Sequence, residues 1–394
     1  MTKVRRIGVV TGSRAEYGLL HRLLCEIEAS DLLELQLIVT GTHLSDRHGR
    51  TVDEIEADGH VISARVDMEL KGDGPAELTK AMGRALIGLA DVFERLAPDI
   101  VVVLGDRYEI LAAAEAAMLA RLPIAHIHGG EASEGQIDEA IRHAISKMAH
   151  YHFVAAEPYR TRVIQMGEDP QRVFNVGAPG LDPIMDADVM SFAEAMSSID
   201  FQPRMPLFLV TYHPVTLRKG AAADAHALLE ALDAFPQASI IFTGTNADTD
   251  GDEITKLIDA YVKARPDRVM QIASFGRKRY LSVLTGADLV IGNSSSGIIE
   301  APAVGTPTIN IGVRQQGRLR APSVIDCEES ARAIRVAIER GLSPEFQAMA
   351  SARETPYGRG GASVKMARLL ETLPLENVLM KKFHTIDQGL EITS

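Results

Sequence analysis

The sequence predicts an α/β protein made of two tandem Rossmann-like, doubly wound domains. Three observations carry this. Short apolar runs alternate with amphipathic helical patterns along nearly the whole chain, which is the βαβα order of a mostly parallel sheet covered on both faces. The series pauses at Gly177–Pro183, a stretch with two glycines and two prolines, and then starts again. The length of 394 residues, with 46% hydrophobic side chains, is enough for two cores.

The first series offers strands at Arg6–Thr11, Leu35–Thr40, His60–Val66, Ile100–Leu104, Ile124–His128, His152–Ala155 and Val173–Asn175. Helical patterns lie between most of them, among them Glu16–Ala29, Glu77–Leu96 and Ile110–Ala120. The second series offers strands at Leu207–Tyr212, Ser239–Thr243, Val269–Ile272, Leu289–Ile291 and Thr308–Ile311, with helices at Ala222–Ala234, Asp252–Lys263 and Lys278–Thr285. The expected domains are 1–180 and 181–365. Residues 366–394 form a C-terminal helix and tail, with the Ser363–Thr372 helical pattern packing back on the first domain.

Composition excludes several function classes. The net charge of −12 lacks the basic footprint of nonspecific nucleic-acid binding. No apolar run approaches the roughly 20 residues that span a bilayer. Near the start, the apolar stretch Ile7–Val10 is too short for a signal peptide and reads as a first strand. Cys25 and Cys327 form no metal or redox motif, so a reducing, cytoplasmic location is expected.

The segment Asp288–Arg320 is the most informative. A buried strand ends at Gly292. Asn293–Ser296 then supply side-chain caps and backbone N–H groups at a helix start, a ready site for an anion. Arg314, Arg318 and Arg320 follow the next strand, and guanidinium forks suit phosphate oxygens. The alternative is an ordinary capped helix and a solvated basic loop. Glu300, six residues beyond Ser294, could bind ribose hydroxyls or be a plain surface glutamate.

Four further turns carry chemistry. Thr11–Gly18 (TGSRAEYG) opens a helix as a nucleotide-binding turn would, with Arg14 as a phosphate ligand or a surface arginine. It matches neither a dinucleotide fingerprint nor a P-loop. In Leu104–Glu109 (LGDRYE), Asp106 sits at a strand end as a catalytic carboxylate or a helix N-cap. His126–His150 places His126 and His128 on one strand face, followed by Gly129, Gly130 and Glu131. A helix then pairs Asp138 with Arg142 and Glu139 with His143. That density suits proton transfer, a metal site, or an ion-paired surface helix over core histidines. In Thr211–Thr216 (TYHPVT), Pro214 would hold His213 outside the strand ladder.

Together these segments resemble the UDP-N-acetylglucosamine 2-epimerase family, hydrolysing branch. The resemblance rests on GSRAEYG, GTHLSDRHG, GDRYE, HGGE, IDEAIRHAISKMAH, YHPVT and GNSSSGIIEAPAVGTPTINIGVRQQGR, in that order. It implies the glycosyltransferase-B architecture, with the active site in the interdomain cleft and a UDP-binding second domain. The implied reaction is anti elimination of UDP to a 2-acetamidoglucal, followed by hydration to UDP and N-acetylmannosamine, without metal or redox cofactor. The alternatives are the same reaction on UDP-2,4-diacetamido-2,4,6-trideoxyglucose, a nonhydrolysing epimerase, or a UDP-sugar glycosyltransferase. By position, Asp106 and Asp138 would be the catalytic carboxylates and His213 would act at the leaving diphosphate. Ser294, Ser295, Gly297 and Glu300 would bind phosphate or ribose, and Arg14 and Arg314 would clamp phosphate. Arg107, Arg142 and His143 join the substrate-binding set. Some members carry a glutamate where this chain has His128, so either His128 or Glu131 takes an acid/base role here, or the chain handles a different sugar. A homo-oligomer, dimer or tetramer, and a place in sialic or legionaminic acid synthesis are also implied.

Overall fold

A computed structural model describes residues 4–72, 74–133, 136–185, 190–213, 221–244, 251–272, 275 and 277–386. The chain divides into two compact units. One comprises the described parts of Met1–Glu131, Ile137–Pro179 and Gly361–Ser394; the other those of Ala132–Gln136 and Gly180–Gly360. Both are doubly wound, parallel α/β folds.

In the first unit the strands are β1 (Arg5–Thr11), β2 (Leu33–Thr40), β3 (Ile62–Val66), β4 (Ile100–Leu104), β5 (Ile124–Ile127), β6 (Tyr151–Val154) and β7 (Val173–Asn175). Their order is β3-β2-β1-β4-β5-β6-β7, every pairing parallel. Strand side chains alternate between two cores. Ile100, Val102 and Leu104 join the Arg14–Glu28 helix through Leu20, Leu24 and Ile27. Val101 and Val103 face the Pro75–Leu96 and Tyr108–Leu119 helices through Leu89, Ala113 and Ala117.

The second unit repeats the plan with β8 (Leu207–Thr211), β9 (Ser239–Thr243), β10 (Val269–Ile272), β11 (Leu289–Gly292), β12 (Thr308–Ile311) and β13 (Val324–Cys327), ordered β10-β9-β8-β11-β12-β13 and parallel throughout. Phe208 and Val210 face one core and Leu207 and Leu209 the other. Strand order reverses between β1 and β4 and again between β8 and β11. Ligands of such sheets bind at these crossover points, outside the carboxyl ends of the strands.

Among the differences from the sequence expectation, two concern strands of the sheets. Strand β13 was not foreseen, because its four residues mix Val324 and Ile325 with Asp326 and Cys327. Strand β5 stops at Ile127; His128 has φ 67°, in the left-handed region, and leaves the strand. His126 and His128 therefore do not share a strand face.

The Ala362–Thr372 helix supplies Ala362, Met366, Ala367 and Leu370 to the first unit's core, and Leu373 and Val378 continue that packing. Farther on, Lys381 reaches Glu168 (2.6 Å), Arg172 donates to the Val378 carbonyl (3.1 Å), and the Phe383 ring covers Gly167. The Gly167 position has no room for a side chain. Among the described residues, no helix is long and apolar enough to cross a membrane.

Candidate active site

The β1/β4 crossover of the first unit gathers charge. Asp106 follows β4 and is ion-paired with Arg142, which lies almost fully buried on the Ile137–Met148 helix. Arg142 also takes Glu139 (2.8 Å) and the Glu131 carbonyl (3.0 Å). The N-cap of the Tyr108–Leu119 helix is Arg107 and not Asp106, so the aspartate is left for the ion pair. Asp138 is half-buried; burial and the neighbouring Asp106 charge push its carboxyl above the ordinary range. The Asp106 charge thus bears on the Asp138 carboxyl.

After β5 the chain turns through His128, Gly129 and Gly130. A side chain at Gly130 would strike the Tyr159 carbonyl, and one at Gly129 would crowd Ser146 and His126. The turn therefore packs directly on two helices. It brings His128 Nδ1 against the Glu131 carboxylate, a hydrogen-bonded pair. A carboxylate accepts, so Nδ1 is directed at Glu131 and the opposite nitrogen, Nε2, points away from it. That Nε2 is buried without a hydrogen-bond partner. His143 Nε2 lies 3.1 Å from Glu139.

His126 belongs to the core. It is fully buried, with Nε2 on the Gly105 carbonyl (2.8 Å) and Nδ1 on Ser146 Oγ (3.1 Å). Burial lowers its pKa to about 3. Both ring nitrogens are engaged, so it offers no lone pair to a metal.

A second carboxylate group escaped the sequence reading. Glu16 and Glu109 are both buried, and Arg107 Nε lies 2.6 Å from Glu109 and 4.0 Å from Glu16. The Gly12 N–H donates to Glu16 (2.8 Å). Burial, then the Glu109 charge, raise Glu16 to about 8. The available signal was an acid inside each of two glycine-bearing turns, RAEYG and GDRYE. Arg14 is exposed on the first turn of its helix.

In the second unit the β8/β11 crossover is built around Asn293. Its side chain accepts from the His213 N–H and donates to the His213 carbonyl, both at 2.8 Å. Gly292 has φ 136° and no space for a Cβ against Thr211, so the two strand ends close on each other. His213 is buried; burial and then Arg314 lower its pKa to about 3, so its ring is neutral. Pro214, which was expected to position it, lies outside the described residues. Arg314 Nη1 and Gln315 Nε2 both reach the Asn293 carbonyl, at 3.1 and 2.9 Å.

The Ser296–Val304 helix starts here. Ser295 is its N-cap without a side-chain cap bond, and Ser294 Oγ accepts from the Ser296 N–H at 3.3 Å. A Cβ at Gly297 would press on Thr308, so this glycine lets the helix lie close on β12. Glu300 sits half-buried on the helix, and its charge together with burial raises the pKa of the neighbouring Tyr280. Of the three arginines expected at this edge, Arg320 is taken up by Asp326 at 3.0 Å.

The crossovers thus sort the chemistry: Asp106, Arg107, His128, Glu131, Asp138, Arg142 and His143 in one unit, and His213, Ser294, Ser295, Gly297, Glu300 and Arg314 in the other. The fold is that of a tandem Rossmann-like α/β protein with polar, charge-bearing switch points. The chain belongs to the UDP-N-acetylglucosamine 2-epimerase family, whose profile matches residues 25–371. It is 41% identical over 325 residues to the GDP/UDP-N,N'-diacetylbacillosamine 2-epimerase (hydrolyzing) of Campylobacter jejuni, covering 82% of this chain and 84% of that protein. It is 38% identical to the UDP-N,N'-diacetylbacillosamine 2-epimerase (hydrolyzing) of Legionella pneumophila, over 96% of this chain and 99% of that protein. The UDP-N-acetylglucosamine 2-epimerase of Neisseria meningitidis is 33% identical over 86% of this chain and 88% of its own. Among solved structures, a UDP-GlcNAc 2-epimerase from Neisseria meningitidis, crystallised with UDP-GlcNAc, has the same fold with a TM-score of 0.79 at 18% identity, covering 93% of this chain and 99% of that one.

Proposed function

We propose that this chain is a hydrolysing 2-epimerase of a UDP-linked 2,4-diacetamido-2,4,6-trideoxyhexose, releasing UDP and the free 2-epimeric sugar. The observation that carries the reaction is the His128–Glu131 pair in the same unit as the Asp106 and Asp138 carboxylates. A base removes H2, the C1–O bond to UDP breaks, and a 2-acetamidoglucal results. Water then adds across C1=C2, with hydroxyl to C1 and a proton to C2 from the opposite face. His128 Nε2 is suited to the proton transfer at C2, with Glu131 orienting its ring. Asp106 and Asp138 serve as the second acid/base pair and guide water, and Arg107, Arg142 and His143 hold them and the sugar.

The second unit is assigned the leaving group. The Ser294, Ser295 and Gly297 region offers hydroxyls and helix amides, Arg314 offers positive charge, and Glu300 takes the ribose. His213, as a neutral imidazole, donates to a diphosphate oxygen while that charge develops. The preference for the diacetamido sugar over UDP-N-acetylglucosamine follows the names of the relatives at 41% and 38% identity. A cytoplasmic homo-oligomer supplying a sialic-acid-like pathway completes the reading.

Incubation with each UDP-sugar in deuterated water, followed by NMR, tests it. Free UDP and a 2-deuterated epimer from the diacetamido substrate are expected. Equal or faster turnover of UDP-N-acetylglucosamine would reassign the substrate, and intact interconverting UDP-sugars would remove the hydrolytic step.

A further inference from the structure

One face of the Arg14–Glu28 helix carries Tyr17, His21, Cys25 and Glu28 at successive spacings of four, four and three, so they form one stripe. His60, just ahead of β3, folds onto this stripe. Its side chain is 3% exposed, and its Nδ1 is gripped by both Glu28 oxygens at 3.0 and 3.1 Å. The opposite nitrogen, Nε2, is buried without any hydrogen-bond partner. An unpartnered ring nitrogen in a buried position is costly unless something fills it.

Two further donors lie near the His60 ring. One ligand atom each from His21, Cys25 and His60 lie within 4.8 Å of one another. His21 Nδ1 faces Cys25 Sγ at 3.9 Å, while its Nε2 faces the Asp58 carboxylate at 3.6 Å. His21 thus turns one nitrogen to a carboxylate and the other to Cys25, and His60 gives its Nδ1 to the Glu28 carboxylate. This carboxylate–histidine arrangement is the usual outer support of a ligating imidazole.

We infer that His21, Cys25 and His60 form a binding site for a borderline-soft divalent cation, zinc being the best match to a two-imidazole, one-thiolate set. Bond lengths of about 2.0–2.1 Å to nitrogen and about 2.3 Å to sulfur imply ligand spacings of roughly 3.3–3.6 Å. The cluster reaches that by a contraction of about an ångström, within the range of side-chain rotation. Binding releases the Cys25 thiol proton to solvent and leaves both imidazoles neutral. Water completes the tetrahedron. The helix starts at the carboxyl end of β1, so its last turns lie at the opposite sheet end, beside the start of β3. The ion would accordingly clip this helix to the β2–β3 connection, apart from the catalytic groups. No sequence motif reveals the site, because Cys25 and His60 are far apart in the chain and only folding joins them.

Full-length protein, stripped with a chelator, would be titrated with Co²⁺ and then with Zn²⁺. Equimolar Co²⁺ binding is expected, with a thiolate-to-cobalt charge-transfer band and the strong visible absorption of a tetrahedral ion, both displaced by Zn²⁺. Cys25→Ser should abolish the charge-transfer band and Cys327→Ser should retain it. His60→Gln should abolish equimolar binding, and Glu28→Gln should weaken Zn²⁺ affinity about 10–100-fold while circular dichroism stays unchanged. The inference is overturned if wild type lacks the charge-transfer band, if the band survives Cys25→Ser, or if the folded Glu28→Gln and His60→Gln proteins bind as wild type does.

Discussion

His128 and Glu131 hydrogen-bond to each other across a pair of glycines, and His128 is held at φ 67° to do so. A left-handed backbone costs a non-glycine residue of order 1–3 kcal/mol, so the surrounding packing must enforce it. Gly129 and Gly130, pressed on Ser146 and Tyr159, supply that enforcement. His128 and Glu131, the two candidates for the acid/base role, are thus one hydrogen-bonded pair with one ring nitrogen oriented by the carboxylate.

Replacing His128 by Asn should lower kcat about 10²–10⁴-fold, the usual contribution of a positioned proton-transfer group. Glu131→Gln should lose less, because the glutamine oxygen still orients the ring. Turnover and deuterium incorporation at C2 would be measured together. A near wild-type rate in His128→Asn would remove the dyad from the reaction.

Asp106→Asn should stop turnover while UDP still binds. It also takes a counter-charge from the buried Arg142, at a stability cost of about 1.5–3 kcal/mol for a hydrogen bond to a charged group. Calorimetric UDP binding and thermal melting separate the two effects. Undiminished turnover would exclude this carboxylate from the chemistry.

Arg314→Ala should weaken UDP binding by about 1.5–3 kcal/mol. Arg314 donates to the Asn293 carbonyl at 3.1 Å, which keeps its guanidinium at the helix start. Unchanged affinity would assign Arg314 to loop support alone.

Glu16 predicts a pH effect on stability. Below its ordinary value of 4.5 the carboxyl is protonated whether the chain is folded or not. From there up to about 8 the folded chain keeps a proton that the unfolded chain has released, so stability falls as pH rises through that window. Glu16→Gln retains an acceptor for the Gly12 N–H and should flatten this slope, gaining most in melting temperature on the alkaline side. Parallel melting curves for the mutant and wild type would contradict the raised proton affinity.

The sheets were legible because each buried strand, such as Ile100–Leu104 or Leu207–Thr211, is a continuous apolar run bounded by turn residues. The site motifs were legible because glycines and acids interrupt those runs at strand ends. Pairings across the fold were not legible. Helical spacing suggested Asp138 for Arg142, whereas the structure sends Arg142 to Asp106, 36 positions earlier, and to Glu139. Period-two counting put His126 and His128 on one face, and a single left-handed residue undid it. Arg320 was grouped with Arg314 by its place after the same strand, and Asp326 claims it.

The return of the chain at Gly361 has a temporal meaning. A ribosome emits the strands of the first unit early, yet Met366, Leu370 and Val378 of that unit's core come last, after the whole of the second unit. The first unit begun is thus the last completed. Until the final segment emerges, the faces of Leu20, Leu24 and Tyr151 lack their cover. The nascent protein must hold an unfinished apolar surface through most of its own synthesis, and a chain released before that point would carry this surface exposed.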